Sequence, residues 1–173
     1  DQTGKISEYI AIRHDITKIV QQDKRLQRQT TDELTGLPNR IQLLEDIKST
    51  KSPRLILVDI DNFSVVNDLY GISIGDRILI QVGLRLADFV ENNSCTPYRL
   101  ANDVFAILND SPECLASEKI VSDMLQIINT EFITDEIEVQ LSCTCGIAEG
   151  KKSLFRKADI ALHAAKKKHE PIV

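Results

Sequence analysis

Arg99-Leu100-Ala101-Asn102-Asp103-Val104-Phe105, running into the apolar stretch Ala106-Ile107-Leu108, decides how this chain is read. Strand-forming residues on both sides of Asn102-Asp103 give the pattern of a β-hairpin, with strands near 96–100 and 104–108. Asparagine tolerates the left-handed backbone of a tight turn, so Asn102-Asp103 can close it. A single carboxylate, Asp103, therefore stands at the tip.

The partner for that carboxylate lies upstream. Arg54-Leu55-Ile56-Leu57-Val58-Asp59-Ile60 is a nearly continuous apolar run, the pattern of a buried central strand, and it ends in Asp59-Ile60-Asp61. If this strand neighbours the hairpin, Asp59 and Asp103 can approach each other. Two hard carboxylates and a backbone carbonyl suit Mg²⁺ when substrate phosphates complete its shell. The plainer alternative is that Asp59 and Asp61 end a strand or cap the next helix.

Around this pair the chain alternates strands and helices. Short helices are expected at 41–48 and 63–69, then a break at Gly71. A longer helix is expected over 75–91, with Ile78, Leu79, Val82, Leu86, Phe89 and Val90 on one face. After the hairpin, 112–130 reads as a helix faced by Leu115, Ile120, Met124, Ile127 and Ile128; 136–148 reads as strand and 154–168 as a last helix. The order is β-α-α-β-β-α-β-α, which predicts an α+β fold: one central mixed sheet with helices on its faces. Before all this, 5–14 reads as a strand. A polar helix follows, whose narrow stripe of Ile16, Ile19, Val20 and Leu26 packs weakly or pairs with a copy of itself, giving a homodimer.

Composition excludes several classes. The 173 residues are 42% hydrophobic and carry a net charge of −5, which argues against a general nucleic-acid surface or an anionic membrane. No apolar run is long enough to span a bilayer and no signal peptide opens the chain, so a cytoplasmic setting is expected. The start at Asp1 suggests a piece of something longer. Cys95, Cys114, Cys143 and Cys145 lack metal-ligand spacing and read as small core residues of a reducing compartment. His14 and His163 lack catalytic partners, and the cations of Lys166-Lys167-Lys168 suit a helix C-terminus as well as a phosphate.

Several motifs, in order and at fixed offsets over about residues 30–170, resemble the GGDEF family, the diguanylate cyclases. Asp32-x-Leu34-Thr35-Gly36-Leu37-Pro38-Asn39-Arg40 is similar to the family's opening motif. Asp59-Ile60-Asp61-x-Phe63, Asn67-Asp68, Gly71 and Gly75-Asp76 resemble its next block. Thr144-x-Gly146-Ile147-Ala148 resembles its Ser-x-Gly strand, and Ala158-Asp159-x-Ala161-Leu162-x-x-Ala165-Lys166 its last helix. The hairpin stands where the family carries Arg-x-Gly-Gly-Asp/Glu-Glu-Phe. The resemblance implies a nucleotidyl-cyclase palm-like fold, GTP as ligand and Mg²⁺ as cofactor. It implies Asp59 and Asp103 as metal ligands, helped by the Ile60 carbonyl, and the Asn62 and Phe63 amides facing a triphosphate. By the same resemblance Asn67 and Asp76 read guanine, and Lys166 meets a terminal phosphate. The strand at 5–14 followed by Asp15-Ile16-Thr17 resembles the tail of a PAS sensor domain. Residues 1–30 are thus expected to be a sensor tail and linker helix, and 31–173 a degenerate GGDEF domain.

The departures concern chemistry. Val104 stands at the family's second signature acid, and Ala101 and Asn102 at its glycines. Valine can neither accept a proton nor bind metal, and loss of such a group costs about 10²–10⁴ in rate. Ser64 replaces a lysine, Ile72 a histidine and Glu170 an arginine, so a triphosphate would find fewer charge-assisted contacts. The product-inhibition motif, expected over 92–95, is absent. The expectation is a regulatory, GTP-binding module without catalytic residues, set between a PAS sensor and an output domain of the EAL phosphodiesterase type. Two alternatives stay open: an active diguanylate cyclase, and a structural dimerisation relay that binds no nucleotide.

Overall fold

The computed structural model describes residues 29–91, 95–109, 118–135, 137–168 and 170–172. The strand expected at 5–14, the helix after it, the boundary near residue 30, Cys114 and His14 lie largely outside these residues.

In chain order the elements are α1 (Arg40–Ser49), β1 (Arg54–Ile60), α2 (Phe63–Tyr70), α3 (Ile72–Glu91), β2 (Cys95–Ala101), β3 (Val104–Asn109), α4 (Glu118–Ile128), β4 (Phe132–Thr134), β5 (Ile137–Val139), β6 (Cys143–Glu149) and α5 (Leu154–Lys168). Four strands form the central sheet in the order β2-β3-β1-β6, so β1 lies inside it. The named strands pair antiparallel throughout. Among the described residues, parallel pairing is confined to single bridges at the edges, Asn39 with Arg99 and Ile172 with Cys145.

β1 reads as an unbroken apolar run because helices cover both of its faces. Leu55 and Leu57 point into a core shared with Leu43 of α1, Tyr98 of β2 and Leu154, Ala158 and Leu162 of α5. Ile56, Val58 and Ile60 point the other way, toward α2, α3 and α4. Each such large side chain, fully buried, contributes roughly 1.5–3 kcal/mol. Alternation then places Asp59 on the α5 side.

The strand 54–60 and the helix 154–168 have the expected bounds. α3 begins at Ile72 rather than 75, because only Gly71, at φ +85, interrupts the helices: its amide donates to Asn67 and its carbonyl accepts from Ile74 and Gly75. The segment expected as one strand over 136–148 is β5 and β6, and β4, which was not expected, pairs with β5. Three-residue strands have no period to read. This small hairpin is held by α3, where Gln81 donates to Thr134 Oγ1 at 2.8 Å and Arg85 to the Glu131 carbonyl at 2.7 Å. In α4 the buried face is Val121, Met124, Leu125 and Ile128, while Ile127 is half-exposed. Among the described residues no helix is long and apolar enough to cross a membrane.

Candidate functional site

The site gathers at the end of β1, where the chain leaves the sheet. Asn62 takes a left-handed conformation (φ 54) that turns the chain into α2, with Phe63 buried beneath the first turn. The first amides of a helix lack internal partners, so those of Asn62 and Phe63 sit where an anion is favoured.

The hairpin tip packs against this end. Asn102 lies at φ 49, the left-handed residue expected there, and the Asp103 carbonyl accepts from the Ile60 amide at 3.2 Å. Asp59 and Val104 are directly paired across β1 and β3. Cross-strand partners share a face, so an isopropyl group stands opposite the Asp59 carboxylate.

Burial pushes the Asp59 carboxyl above the usual carboxylate range; the nearby charges of Asp103 and Asp61 add to this, and Lys166 works against it. Its side chain is only 15% exposed, and Oδ1 is sealed from solvent. The Lys166 ammonium meets that oxygen at 2.5 Å as a charge-assisted pair. Lys166 reaches it because α5 lies flush on β6. A Cβ at Gly146 would overlap the backbone of Leu162 and Ala158.

Asp61, offered by the sequence as a strand end or a cap for the next helix, caps no helix. Its two oxygens accept from Thr144 Oγ1 at 2.8 Å and Ser142 Oγ at 2.9 Å, joining β1 to β6. Asp61, Asn62 and Lys166 line a cleft of about 470 Å³ with Asn129, Ser142, Thr144 and Glu170. Of these, Asn129, Ser142 and Glu170 as a cleft-lining carboxylate emerge only from the folded structure.

Asn67 and Asp76 do not line that cleft; they sit at the α2–α3 elbow. Gly75 makes room for Asn67, whose amide group fills the space a Cβ at 75 would take. That packing fixes an amide beside the half-exposed Asp76, a pair able to meet the donors and acceptors of a base edge.

Arg99 has a structural task. Its guanidinium, 9% exposed, donates to Asp32 Oδ1 at 2.8 Å and to the Asn102 carbonyl at 2.8 Å, locking the hairpin turn to the segment before α1. Burial alone would raise the Asp32 carboxyl, but donation from the Thr35 hydroxyl and amide, with Arg99, holds it below the usual value. Both residues stand in motifs read from the sequence; the contact between them does not.

Among the described residues, no three His, Cys, Asp or Glu side chains converge to hold a metal. The donor set near Asp59 is two carboxylates and backbone carbonyls. That fits Mg²⁺, which takes one or two carboxylates and leaves the rest of its shell to phosphates and water. Cys143 and Cys145 are buried in the core as free thiols, and Cys145 is pushed up by Cys143 and by burial. His163 is exposed, and among the described residues its contacts are to Asp159 in its own helix.

The sequence pattern of the family described as "Diguanylate cyclase, GGDEF domain" matches residues 29–171. The cyclic di-GMP phosphodiesterase PdeR of Escherichia coli (strain K12) is 32% identical over 165 residues, covering 88% of this chain and 25% of that protein. The diguanylate cyclase DgcP of the same organism is 30% identical over 172 residues, 94% of this chain and 50% of that one. The chain thus spans half or less of these curated relatives. A solved structure of the coiled coil and GGDEF domain of DgcB from Caulobacter crescentus, in complex with c-di-GMP, superposes with a TM-score of 0.77 at 18% identity, covering 91% of this chain and 92% of that chain. Identity that low speaks to the fold alone, and the fold agrees: an α+β sheet with helices on both faces. With its motifs in order and the match running over 29–171, the chain belongs to the GGDEF domain family.

Proposed function

We propose that this domain is a GGDEF module of cyclic di-GMP signalling that binds GTP with Mg²⁺ in a regulatory role and does not condense it. The observation that carries the reading is the register of Asp59 against Val104. A cyclase must take a proton from one GTP hydroxyl and direct that oxygen at the α-phosphate of another. Val104, which faces Asp59 from β3 where the family carries its second acid, has no oxygen with which to do either.

Binding has better support. Asn67 and Asp76 hydrogen-bond a guanine edge at the α2–α3 elbow, and sites built this way reject bases that leave those groups unpaired. The amides of Asn62 and Phe63 face the phosphates, and Lys166 meets the terminal one. Asp59 and Asp103, with the Ile60 carbonyl, hold the metal, which when bound neutralises phosphate charge. Ala101 and Asn102 place side chains where bare glycine would let a phosphate approach the backbone, and Glu170 adds a carboxylate to the cleft.

In the whole protein, residues 1–30 would be a PAS tail and linker helix able to pair two copies, and 31–173 would relay its state to an output domain. The likeness to PdeR, named a phosphodiesterase, supports an EAL-type output, and GTP as ligand supports a cytoplasmic setting.

Incubation with GTP and Mg²⁺ followed by chromatography is expected to yield no cyclic di-GMP; turnover at ordinary rates overturns the reading. Calorimetry with GTP is expected to give heat that Asn67→Ala and Asp76→Ala each abolish. No heat in the parent chain would favour the structural relay. The triple change Ala101→Gly, Asn102→Gly, Val104→Glu is expected to raise cyclase activity by about 10²-fold over the parent, the scale of a restored general base.

A further inference from the structure

Asp59 Oδ1 is shielded from water, and among the described residues it is held by the Lys166 ammonium at 2.5 Å. An unpaired ionised carboxylate in such a place is costly, and a single tethered cation offsets part of that cost. Lys166 is suited to the task and suited to leaving it. Its side chain is 40% exposed, it belongs to the last turn of α5, and a lysine is a compact charge on a flexible stem.

Resting on the reading of Asp59 and Asp103 as the metal pair, we propose that Lys166 is a tethered stand-in for the metal. It holds Asp59 Oδ1 while no nucleotide is bound, and makes Mg²⁺ binding conditional on a phosphate that draws the ammonium away. The geometry forces the competition. Mg²⁺ held by the Asp59 carboxylate at about 2.0–2.1 Å would lie within a few ångströms of the ammonium on Oδ1, and two cations that close repel strongly away from bulk water. Free Mg²⁺ must therefore send Lys166 back to water, whereas a triphosphate offers the ammonium an anionic partner in the same cleft, where Asn62 also lies. By linkage, metal and phosphate each tighten the binding of the other by the same factor. Asp61 already accepts from Ser142 and Thr144, which makes it a poorer ligand for a free ion than Asp59.

The test is Mn²⁺ binding, used as a paramagnetic probe in place of Mg²⁺, measured without nucleotide. The chain itself is expected to bind weakly, and Lys166→Met roughly tenfold more tightly, the scale of a usual coupling between sites. Thermal melting gives a second readout: Mg²⁺ should raise the Tm of Lys166→Met and leave the parent unchanged. Lys167→Gln, an exposed charge one residue along, controls for net charge and is expected to behave like the parent. Should Lys166→Met fold poorly, Lys166→Gln removes the charge while keeping a polar chain of similar reach. Equal Mn²⁺ affinity in the parent and in the neutralised variants overturns the proposal while leaving the metal pair standing. Binding in none of them, or binding that survives Asp59→Asn, overturns the metal pair itself and the proposal with it.

Discussion

Asp32 with Arg99 and Asp59 with Lys166 are both carboxylate–cation pairs that tie distant parts of the chain together, yet their environments pull in opposite directions. Asp32 receives the Thr35 hydroxyl and amide as well as Arg99, and Arg99 also donates to the Asn102 carbonyl. Every charge there has several partners, and the carboxyl titrates below its usual range. Asp59 is more deeply set, is met at Oδ1 by the Lys166 ammonium, and titrates above its usual range because burial outweighs that pairing. A pair of the first kind holds a fold together. The second kind has a single cation against a costly burial, beside a cleft lined by that same cation, the condition in which an incoming cation gains most. The difference separates the structural clasp of this domain from its candidate site.

Four substitutions break or sharpen that contrast. The largest effect is expected from Gly146→Ala, which forces α5 off β6; a loss of about 3 kcal/mol or more in urea unfolding is expected, because backbone rather than a flexible side chain must give way. Next is Arg99→Met, expected to lose about 3 kcal/mol, since it leaves Asp32 and the Asn102 carbonyl without their buried donor.

Asp32→Asn is expected to lose about 1–2 kcal/mol at neutral pH. Because the folded pKa is depressed, the clasp contributes fully above the unfolded pKa and is lost as pH falls through the folded one. The gap between Asp32→Asn and the parent should therefore close in acid. Asp59→Asn, the smallest, has the opposite sign. A folded pKa raised above the unfolded value means that ionisation opposes folding at neutral pH, so the amide should raise the Tm, by up to about 1 kcal/mol of stability. That gain should fade as pH falls through the folded pKa, where the parent is itself protonated. A destabilised Asp59→Asn at neutral pH would erase the distinction between the two pairs.

Much of this was legible from residue order. The strand over 54–60 has the expected ends because helices cover both faces and leave an unbroken apolar run. The hairpin turn was legible from Asn102, whose left-handed backbone is the reason asparagine suits that place. The α3 start was misplaced because one glycine can turn the chain without unwinding either helix. The β4–β5 hairpin escaped notice because its order comes from Gln81, Arg85 and Arg77, more than forty residues upstream in a helix chosen for its apolar face.

What the sequence determined by itself is local or periodic: the alternation of strands and helices, the turn, the family motifs, and the missing acid at Val104. Only the tertiary structure decided which charges meet. That Asp32 holds Arg99, that Asp61 is consumed by Ser142 and Thr144, and that Lys166 stands against Asp59 all depend on sheet register and on how closely α5 lies over Gly146. Coulomb energy and desolvation vary steeply over a few ångströms, and spacing along a chain carries no such distances until packing fixes them.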